Sequence, residues 1–321
     1  MKRLLLVIAL CLSCEMASAQ EDSLVTVFWN LENFFDYFDN GGGESDAQFS
    51  SYGSRRWTKK RFYAKCDAVA KSMFFIGDMY GKMPDVIGFA EIENKWVLRK
   101  LVETTSLRKY GYEIVHFDSR DRRGIDVALL YRSSQFNLES TSLKLPLHEG
   151  IELQTRDILH VCLKRPENGC ILDFVVNHHP SKFGGSVESE NRRNSAMVAL
   201  KELCDSLYSS GSDKIIAMGD FNDTPDAPAF DVVSPVLVNK AGCLYERGEG
   251  TIRYEGKWDL IDMFLVSPDM EKDSRMEICR IPFLMTREKK HPGVKPLRTY
   301  SGPRYNGGVS DHCPIVLLYS E

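Results

Sequence analysis

The sequence predicts one layered domain in which β-strands and α-helices mix along the chain, an α/β or α+β fold. Three observations lead to this prediction. Short apolar runs of strand length recur throughout, and apolar residues at helical spacing lie between some of them. No internal repeat or low-complexity linker divides the 321 residues. We therefore expect one domain over residues 20–321.

The predicted strands are rich in Val, Ile and Phe. Several are apolar on both faces, which is typical of sheets that are covered on both sides. They are residues 24–29, 85–90, 112–117, 125–131, 171–176, 214–218, 260–266 and 314–319.

Two segments carry apolar residues at helical spacing. The first follows Thr58, a suitable N-cap, and places Phe62 and Val69 on one face. The second places Ala196, Leu200 and Leu203 on one face. The main predicted loops are the glycine run at 41–43 and the long basic stretch 268–308.

The N-terminus has the pattern of a signal peptide. Lys2 and Arg3 precede an apolar run at 4–12, which is too short to span a bilayer. An Ala-Ser-Ala sequence at 17–19 offers a cleavage site, so residues 1–19 are predicted to direct export to the periplasm or the medium. Cys14 offers a lipoprotein reading, which is less favoured because its preceding residues do not match the usual motif. No later stretch is long and apolar enough to predict a membrane span.

The charge balance is not that of a strongly basic protein that binds duplex nucleic acid. The formal net charge is -4, whereas phosphate contacts need many Lys and Arg side chains. A role on nucleic acid therefore needs local basic groups.

Polar residues recur where predicted strands end or begin. Because strand ends in layered folds cluster along a sheet edge, we expect these groups to converge. Carboxylate and amide oxygens suit a hard cation such as Mg²⁺, with Mn²⁺ or Ca²⁺ as alternatives. A histidine beside a buried carboxylate suits acid or base chemistry near neutral pH. The residues are Asn30, Glu91, His178, Asp220, Asn222, Asp262, Asp311 and His312.

Asp262 is the most informative of these residues because it lies inside an apolar run. An unpaired acid there would cost several kcal/mol, and a histidine partner such as His312 would remove that cost. An Asp on a bulge facing solvent is the simpler alternative. Asp126 also lies in an apolar run, where it either supports His178 or is a satisfied core carboxylate.

The motifs resemble the endonuclease/exonuclease/phosphatase superfamily. Residues 29–33 read Trp-Asn-Leu-Glu-Asn, residues 219–222 read Gly-Asp-Phe-Asn, and residues 310–314 read Ser-Asp-His-Cys-Pro. They occur in the family's order, together with the strand that ends at Glu91 and with Asn177-His178. The resemblance implies a four-layer sandwich, two mixed β-sheets packed face to face with helices outside, and a site at one sheet edge.

The resemblance also implies roles for individual positions. Glu91 would be the main metal ligand, helped by Asn30 and Asp311. Asp220 would position or deprotonate the attacking water, and Asn222 would hold that water or a phosphate oxygen. His312, oriented by Asp262, would contact the scissile phosphate, and His178 would bind the phosphate or protonate the leaving oxygen. Whether Asp220 or His312 is the base stays open, and His179 is an alternative to His178.

Several basic residues are candidates for substrate binding. Cations at the start of a helix oppose the helix dipole, so a second partner such as substrate phosphate would explain them. A solvated surface is the equally weighted alternative. The candidates for substrate binding are Arg61, Arg123, Arg192, Arg193 and Arg298.

The sequence therefore predicts a divalent-metal-dependent phosphodiester hydrolase. The first hypothesis is a secreted endonuclease acting on DNA or RNA. The alternative is a phosphoesterase acting on a small-molecule or lipid phosphodiester, such as a phosphoinositide or a sphingomyelin-like lipid. A third reading is a binding protein without activity, which the complete set of polar residues argues against. No feature indicates an obligate protein partner.

Overall fold

The computed structural model describes residues 23–182 and 186–320. The predicted signal peptide at 1–19 lies outside the described residues. The strands are β1 (Leu24–Phe34), β2 (Val86–Ile92), β3 (Tyr112–His116), β4 (Asp126–Arg132), β5 (Asn137–Lys144), β6 (Leu147–His148), β7 (Ile151–Glu152), β8 (Ile158–Lys164), β9 (Ile171–His178), β10 (Ile215–Asp220), β11 (Val238–Asn239), β12 (Ile252–Tyr254), β13 (Lys257–Asp259), β14 (Asp262–Val266), β15 (Ser274–Ile278), β16 (Met285–Arg287), β17 (Val294–Pro296), β18 (Tyr300–Ser301), β19 (Arg304–Tyr305) and β20 (Ile315–Tyr319).

The helices have recognisable start signals. The Thr58 side chain accepts the Arg61 N–H at the start of the first helix, and the Asn94 side chain accepts the Val97 N–H at the start of the second. Among the described residues, no helix has the length and apolar character needed to cross a membrane. The α-helices are α1 (Lys59–Tyr80), α2 (Lys95–Thr104), α3 (Ser186–Ser209) and α4 (Gly242–Glu246), and short 3₁₀ helices cover Ser106–Tyr110, Pro228–Val232, Pro268–Met270 and Pro282–Leu284.

Two six-stranded mixed sheets form the body of the molecule. The first has the order β15-β20-β1-β2-β4-β3, and the second has the order β11-β14-β10-β9-β8-β5. In the first sheet β1 runs parallel to β2, and in the second β9 runs parallel to β10. The remaining pairs within both sheets are antiparallel.

Alternation along β1 shows how the layers pack. Leu24 and Phe28 belong to a core cluster that they share with Phe174 and Met218 of the second sheet. The intervening Val25 and Val27 belong to a second cluster with α1 and α2 on the other face. Because α3 packs on the second sheet, the layers run helices, sheet, sheet, helix. The predicted four-layer sandwich is confirmed.

Each predicted strand overlaps an observed strand, and both predicted helices form. Strand β5 was missed because it is an edge strand with largely exposed side chains and no apolar run. Strand β8 and helix α2 were also missed. The prediction that 268–308 is a loop is wrong in part, because β15 forms the edge of the first sheet. Its residues alternate between buried and more exposed positions, and Met276 is the one apolar side chain among its buried residues, so no apolar run marks it.

Candidate active site at the sheet edge

Strand register brings three predicted site residues into one row. In the second sheet Asp220 pairs with His178 on the parallel neighbour and with Asp262 on the antiparallel neighbour. Residues in register on adjacent strands point to the same face of a sheet. Asp220 Oδ2 accepts the Nδ2–H of Asn30, which belongs to the first sheet, at 3.0 Å. The row therefore faces the opposite sheet at the edge of the sandwich.

His312 completes this row from the loop before β20. Its Nδ1 lies 2.8 Å from Oδ2 of Asp262, which is 1% exposed. The Ser310 hydroxyl accepts the His312 N–H and donates to the Asn30 carbonyl, so the loop is fixed to the first sheet. The structure thus brings together the Asp–His pair that the sequence suggested. We call His178, Asp220, Asp262 and His312 the histidine–carboxylate row.

Electrostatics keep His312 protonated. Burial alone would lower its pKa, but the Asp262 charge and hydrogen bond, with further attraction from Asp220 and Asp311, hold the pKa well above the usual range of histidine. The ring is therefore an imidazolium at neutral pH, with Nδ1–H directed at Asp262. Its Nε2 lies 3.9 Å from Oδ2 of Asp220.

Opposing influences act on the pKa of Asp220. Burial and the neighbouring Asp262 charge raise its pKa to about 7, against the lowering effects of His312, Asn30 and the Asn222 N–H. Its Oδ2 lies 3.7 Å from Nε2 of His178. A carboxylate with this pKa can take up and release a proton near neutral pH.

His178 is held neutral. Burial, then the positive charges of Arg156, Arg123 and His312, lower its pKa well below that of an ordinary histidine. Arg156 donates to the carbonyl of His178 at 3.0 Å and forms an ion pair with Asp121 at 2.8 Å. Sequence reasoning missed Arg156, because it lies outside every predicted element and only its burial reveals its role.

His179 occupies a separate position from His178. It is 2% exposed and its ring packs edge-on against Phe221. Burial, then Arg156 and Arg193, lower its pKa to about 3. Neither ring nitrogen has a hydrogen-bond partner among the described residues. Its carbonyl accepts the Asn222 side-chain N–H at 3.0 Å.

Glu91 sits beside the row on the first sheet, at an irregularity in strand pairing. Its φ is +62°, and the pairing of β1 with β2 shifts register between Asn30 and Phe34. A non-glycine residue in this conformation is strained, and such strain is common at functional sites. Glu91 Oε2 accepts the Asn33 N–H at 2.7 Å.

Asp311 and Glu91 share a charged neighbourhood. Arg298 joins Glu32 and Asp311, at 2.9 Å to each. Burial and the Asp311 charge raise the pKa of Glu32 to about 7, while burial lowers the pKa of Lys65 to about 8. Neither Glu32 nor Lys65 was assigned a catalytic role from the sequence. Both belong to the surroundings of the predicted metal ligands.

The predicted ligands fit a hard divalent cation in part. Two carboxylates, Glu91 and Asp311, supply hard oxygen donors, and Asp311 remains 35% exposed at the side chain. Asn30 is oriented differently from the expectation, because its Oδ1 accepts the Glu32 N–H at 2.9 Å. Its Nδ2 faces Asp220, with Glu91 Oε1 at 3.5 Å. In this orientation Asn30 acts as a donor to the carboxylates.

The five candidate arginines fall into two groups. Arg123 and Arg298 border the site, through His178 and Asp311 respectively. The other three are engaged elsewhere: Arg61 donates to the carbonyls of Arg55 and Arg56, Arg192 donates to the Gln154 carbonyl, and Arg193 pairs with Asp223.

Asp126 contacts His116 and not His178. Its Oδ2 lies 3.3 Å from Nε2 of His116, and its Oδ1 accepts the Ser119 N–H. The structure therefore favours the reading as a satisfied core carboxylate.

A basic groove of about 720 Å³ begins at Arg298. Its walls come mainly from the region after β15, where the sequence showed many basic residues. Within it Glu288 pairs with Arg253 at 3.2 Å and with Lys295 at 3.9 Å, while Arg298 pairs with Glu32 and Asp311. The basic residues that line the groove are Arg253, Arg287, Lys289, Lys290, His291, Lys295, Arg298 and Arg304.

Comparisons with known proteins agree with this architecture. A family model described as "Endonuclease/Exonuclease/phosphatase family" matches residues 25–321. An endonuclease/exonuclease/phosphatase family protein from Bacteroides thetaiotaomicron is 17% identical, with a TM-score of 0.61, 93% of this chain covered and 95% of that chain. No curated protein matched.

Two further solved structures have the same fold. A Bacteroides thetaiotaomicron mannosyl-6-phosphatase is 16% identical with a TM-score of 0.59, and the match covers 92% of this chain and 99% of that one. TDP2 from D. rerio, complexed with a single-strand DNA product, is 13% identical with a TM-score of 0.52, covering 93% and 99%. At these identities the likeness shows the fold alone.

Proposed function

The chain belongs to the endonuclease/exonuclease/phosphatase family, and from this premise we propose that it is a divalent-metal-dependent phosphodiesterase that cleaves nucleic acid. Members of this family are hydrolases that act on phosphoester bonds. The observation that carries the proposal is the histidine–carboxylate row. It lies beside Glu91 and Asp311, at the edge where both sheets meet.

In the proposed reaction Asp220 accepts a proton from the attacking water, because its pKa of about 7 suits that exchange. His312 already carries a proton, which makes it an unsuitable base. It instead stabilises the negative charge that develops on the phosphate, held in place by Asp262. This assignment favours Asp220 in the question that the sequence left open.

Other side chains complete the proposed site. Neutral His178 offers a ring nitrogen to a phosphate oxygen or the leaving oxygen, and Asn222, whose Nδ2–H donates to the His179 carbonyl, can orient the water through its amide oxygen. Glu91 and Asp311 would hold a divalent cation, Mg²⁺ first, with Mn²⁺ or Ca²⁺ as alternatives. That cation would supply Lewis-acid stabilisation of charge on the phosphate.

The basic groove supports a polymeric substrate. Its cations extend away from Arg298, so a polyanion that reached the site could continue along them. The TDP2 neighbour was solved with a DNA product, which is consistent with nucleic acid on this fold. We also propose export through the predicted signal peptide, to the periplasm or the medium.

A smaller substrate is the second candidate. A compact cavity of about 120 Å³ lies against Arg298, and its walls include Arg55, Thr299 and Tyr300. It has room for a small phosphorylated group between two arginines. A small-molecule or lipid phosphodiester would use this cavity without the groove. The mannosyl-6-phosphatase neighbour shows that the fold also occurs with a small substrate.

A plasmid-nicking assay with Mg²⁺ tests the proposal, run beside bis-nitrophenyl phosphate and a choline phospholipid. We expect nicking that stops in chelator and weakens steeply with salt, because groove contacts to phosphate release counterions. Hydrolysis of bis-nitrophenyl phosphate should depend little on salt. Lipid turnover without nicking would replace the nuclease by the second candidate.

Glu91→Gln should lower the nicking rate by at least about a hundredfold, since it removes the charge that would hold the cation. Glu113→Gln is the matched control, because Glu113 is an exposed glutamate on β3 of the same sheet. Equal rates for the two variants would contradict the assigned metal site.

A further inference from the structure

A second group of acidic side chains lies outside the histidine–carboxylate row. Asp36 and Asp46 belong to the loop after β1, and Glu93 follows β2. The three residues are 3%, 1% and 5% exposed. Each offers one carboxylate oxygen, and these oxygens all lie within 4.8 Å of one another. Three carboxyl groups are thus concentrated in a buried space.

The hydrogen bonds to these carboxylates come from neutral donors. Asp46 Oδ2 accepts the N–H groups of Asn40 and Gly42, both at 2.9 Å, and Glu93 Oε2 accepts the Asp36 N–H at 2.7 Å. Asp36 accepts from the Asn40 and Asn94 amides and from the Phe38 N–H. Across residues 23–182 and 186–320, no Lys, Arg or His side chain forms an ion pair with any of the three.

Two carboxylate oxygens in this group are left over. Asp46 Oδ1 and Glu93 Oε1 are buried and accept no N–H group among the described residues. Burial, together with the nearby carboxyl groups of Asp36 and Asp46, raises the pKa of Glu93 to about 8. A buried charge without a partner is unfavourable unless a cation or a proton compensates it, so this group needs one or the other.

The glycine run in the loop leaves a gap where these oxygens converge. A Cβ atom on Gly42 would meet Glu93 Oε1 and Asn40 Oδ1 at 3.3 Å each, and Asp46 Oδ2 at 3.9 Å. Glu93 Oε1, one of the oxygens that accept no N–H group, thus points at the same small space as the amide oxygen of Asn40. Asn40 is exposed, which gives this space a route to solvent. We call Asp36, Asn40, Asp46 and Glu93 the oxygen cradle.

We propose that the oxygen cradle binds a Ca²⁺ ion that is separate from the catalytic cation. All four side chains offer hard oxygen ligands, and three of them are carboxyl groups that a divalent cation binds in their ionised form. Ca²⁺ accepts six to eight oxygens in flexible geometry, whereas Mg²⁺ demands near-ideal octahedral geometry and keeps several waters. A loop with three successive glycines suits the larger and less demanding ion.

The ion would fasten this loop to the segment that carries Arg123. Glu44 donates its N–H to the Arg122 carbonyl at 2.8 Å, and its side chain pairs with the Arg122 guanidinium at 2.6 Å. A Cβ on Gly124 would meet the Gly42 carbonyl at 2.2 Å, so the two segments are in close contact. Because Arg123 lies near His178, binding of Ca²⁺ would stabilise the fold on one flank of the site.

Calcium titration of the chelator-treated full chain tests this proposal, by calorimetry and by thermal unfolding. The titrations use a Glu91→Gln background, so that binding at the catalytic site does not mask the signal. We expect one Ca²⁺ per chain and a rise in Tm with Ca²⁺ concentration. Absence of both in this background would overturn the proposal.

Two further variants locate the ion. Asp46→Asn keeps an acceptor for the loop N–H groups but removes a charge, and it should weaken Ca²⁺ binding by at least about tenfold. Gly42→Ala places a methyl group among the oxygens and should have the same effect without a change of charge. Asp39→Asn, at an exposed neighbour, is the matched control and should bind Ca²⁺ like the parent. Unchanged Ca²⁺ affinity in Asp46→Asn or Gly42→Ala would place the ion elsewhere and overturn the proposal.

Discussion

The histidine–carboxylate row and the oxygen cradle are two buried acidic groups that differ in how their charge is balanced. In the row, Asp262 contacts His312 at 2.8 Å, and Asp220 has two imidazoles within 4.0 Å, at 3.7 and 3.9 Å. In the cradle, Asp46 and Glu93 accept only backbone N–H groups and lie beside each other, and within the described residues neither forms an ion pair with a Lys, Arg or His side chain.

This difference separates two kinds of chemistry. A carboxylate that faces a histidine can exchange protons, because both groups titrate within reach of neutral pH once they are buried together. Carboxyl groups that face only each other and neutral donors need a proton or an external cation. We therefore propose proton transfer in the row and ion binding in the cradle.

The largest expected effect is on the row itself. His312→Ala should lower kcat by at least about a hundredfold, the usual contribution of a group that takes part in acid–base catalysis. It removes the positive charge beside Asp220 and leaves Asp262 without its partner. Initial rates at saturating metal provide the measurement.

His148→Ala is the control, because His148 forms a hydrogen bond with Ser195 and lies outside the row. Circular dichroism should show that both variants are folded. If His312→Ala kept its rate, the row would be a structural ion pair and its contrast with the cradle would disappear.

Asp262→Asn should shift the pH dependence of the rate without abolishing folding. The Asp262 charge raises the pKa of both Asp220 and His312, so its loss lowers both values. The acidic limb, where Asp220 loses its proton, and the alkaline limb, where His312 loses its proton, should both move to lower pH.

The pH profile of kcat/KM, measured with a fixed metal concentration, checks this shift. Asp259→Asn is the control, since Asp259 is exposed on the neighbouring β13. Limbs that move to higher pH, or a profile identical to that of the control, would show that Asp262 does not set the proton affinity of the row.

A smaller effect concerns stability beside the row. The pKa of His179 is lowered to about 3 by burial, so the folded protein excludes a proton that the unfolded chain binds below about pH 6.5. The contribution of neutral His179 to the free energy of unfolding is fully present above pH 6.5 and is lost as the pH falls towards 3. The loss is about 1.4 kcal/mol for each pH unit inside that window.

His179→Phe should reduce the slope of the free energy of unfolding against pH by the equivalent of about one proton. Phe keeps the packing against Phe221 and cannot titrate. Urea unfolding between pH 7 and 4 measures the free energy of unfolding for both proteins. Identical slopes would mean that His179 is protonated in the folded state.

Much of the fold could be predicted from the sequence. Strands with continuous apolar runs were found, since burial on both faces leaves a local signal. Strand β5 and strand β15 were not found, because an edge strand needs few apolar residues and is defined by its partners. The same limit hid Arg156, whose contacts with the carbonyls of His178 and His179 join segments that are far apart in sequence.

The sequence by itself determined which residue types could do chemistry and that Asp262 needed a partner, because an acid in an apolar strand is costly wherever the chain folds. Only the tertiary structure decided which of these side chains come into contact. Register between strands set His178, Asp220 and Asp262 side by side, the loop before β20 added His312, and the bend after β1 gathered the oxygen cradle. Such contacts depend on distances between remote segments, which a linear pattern of residues does not encode locally.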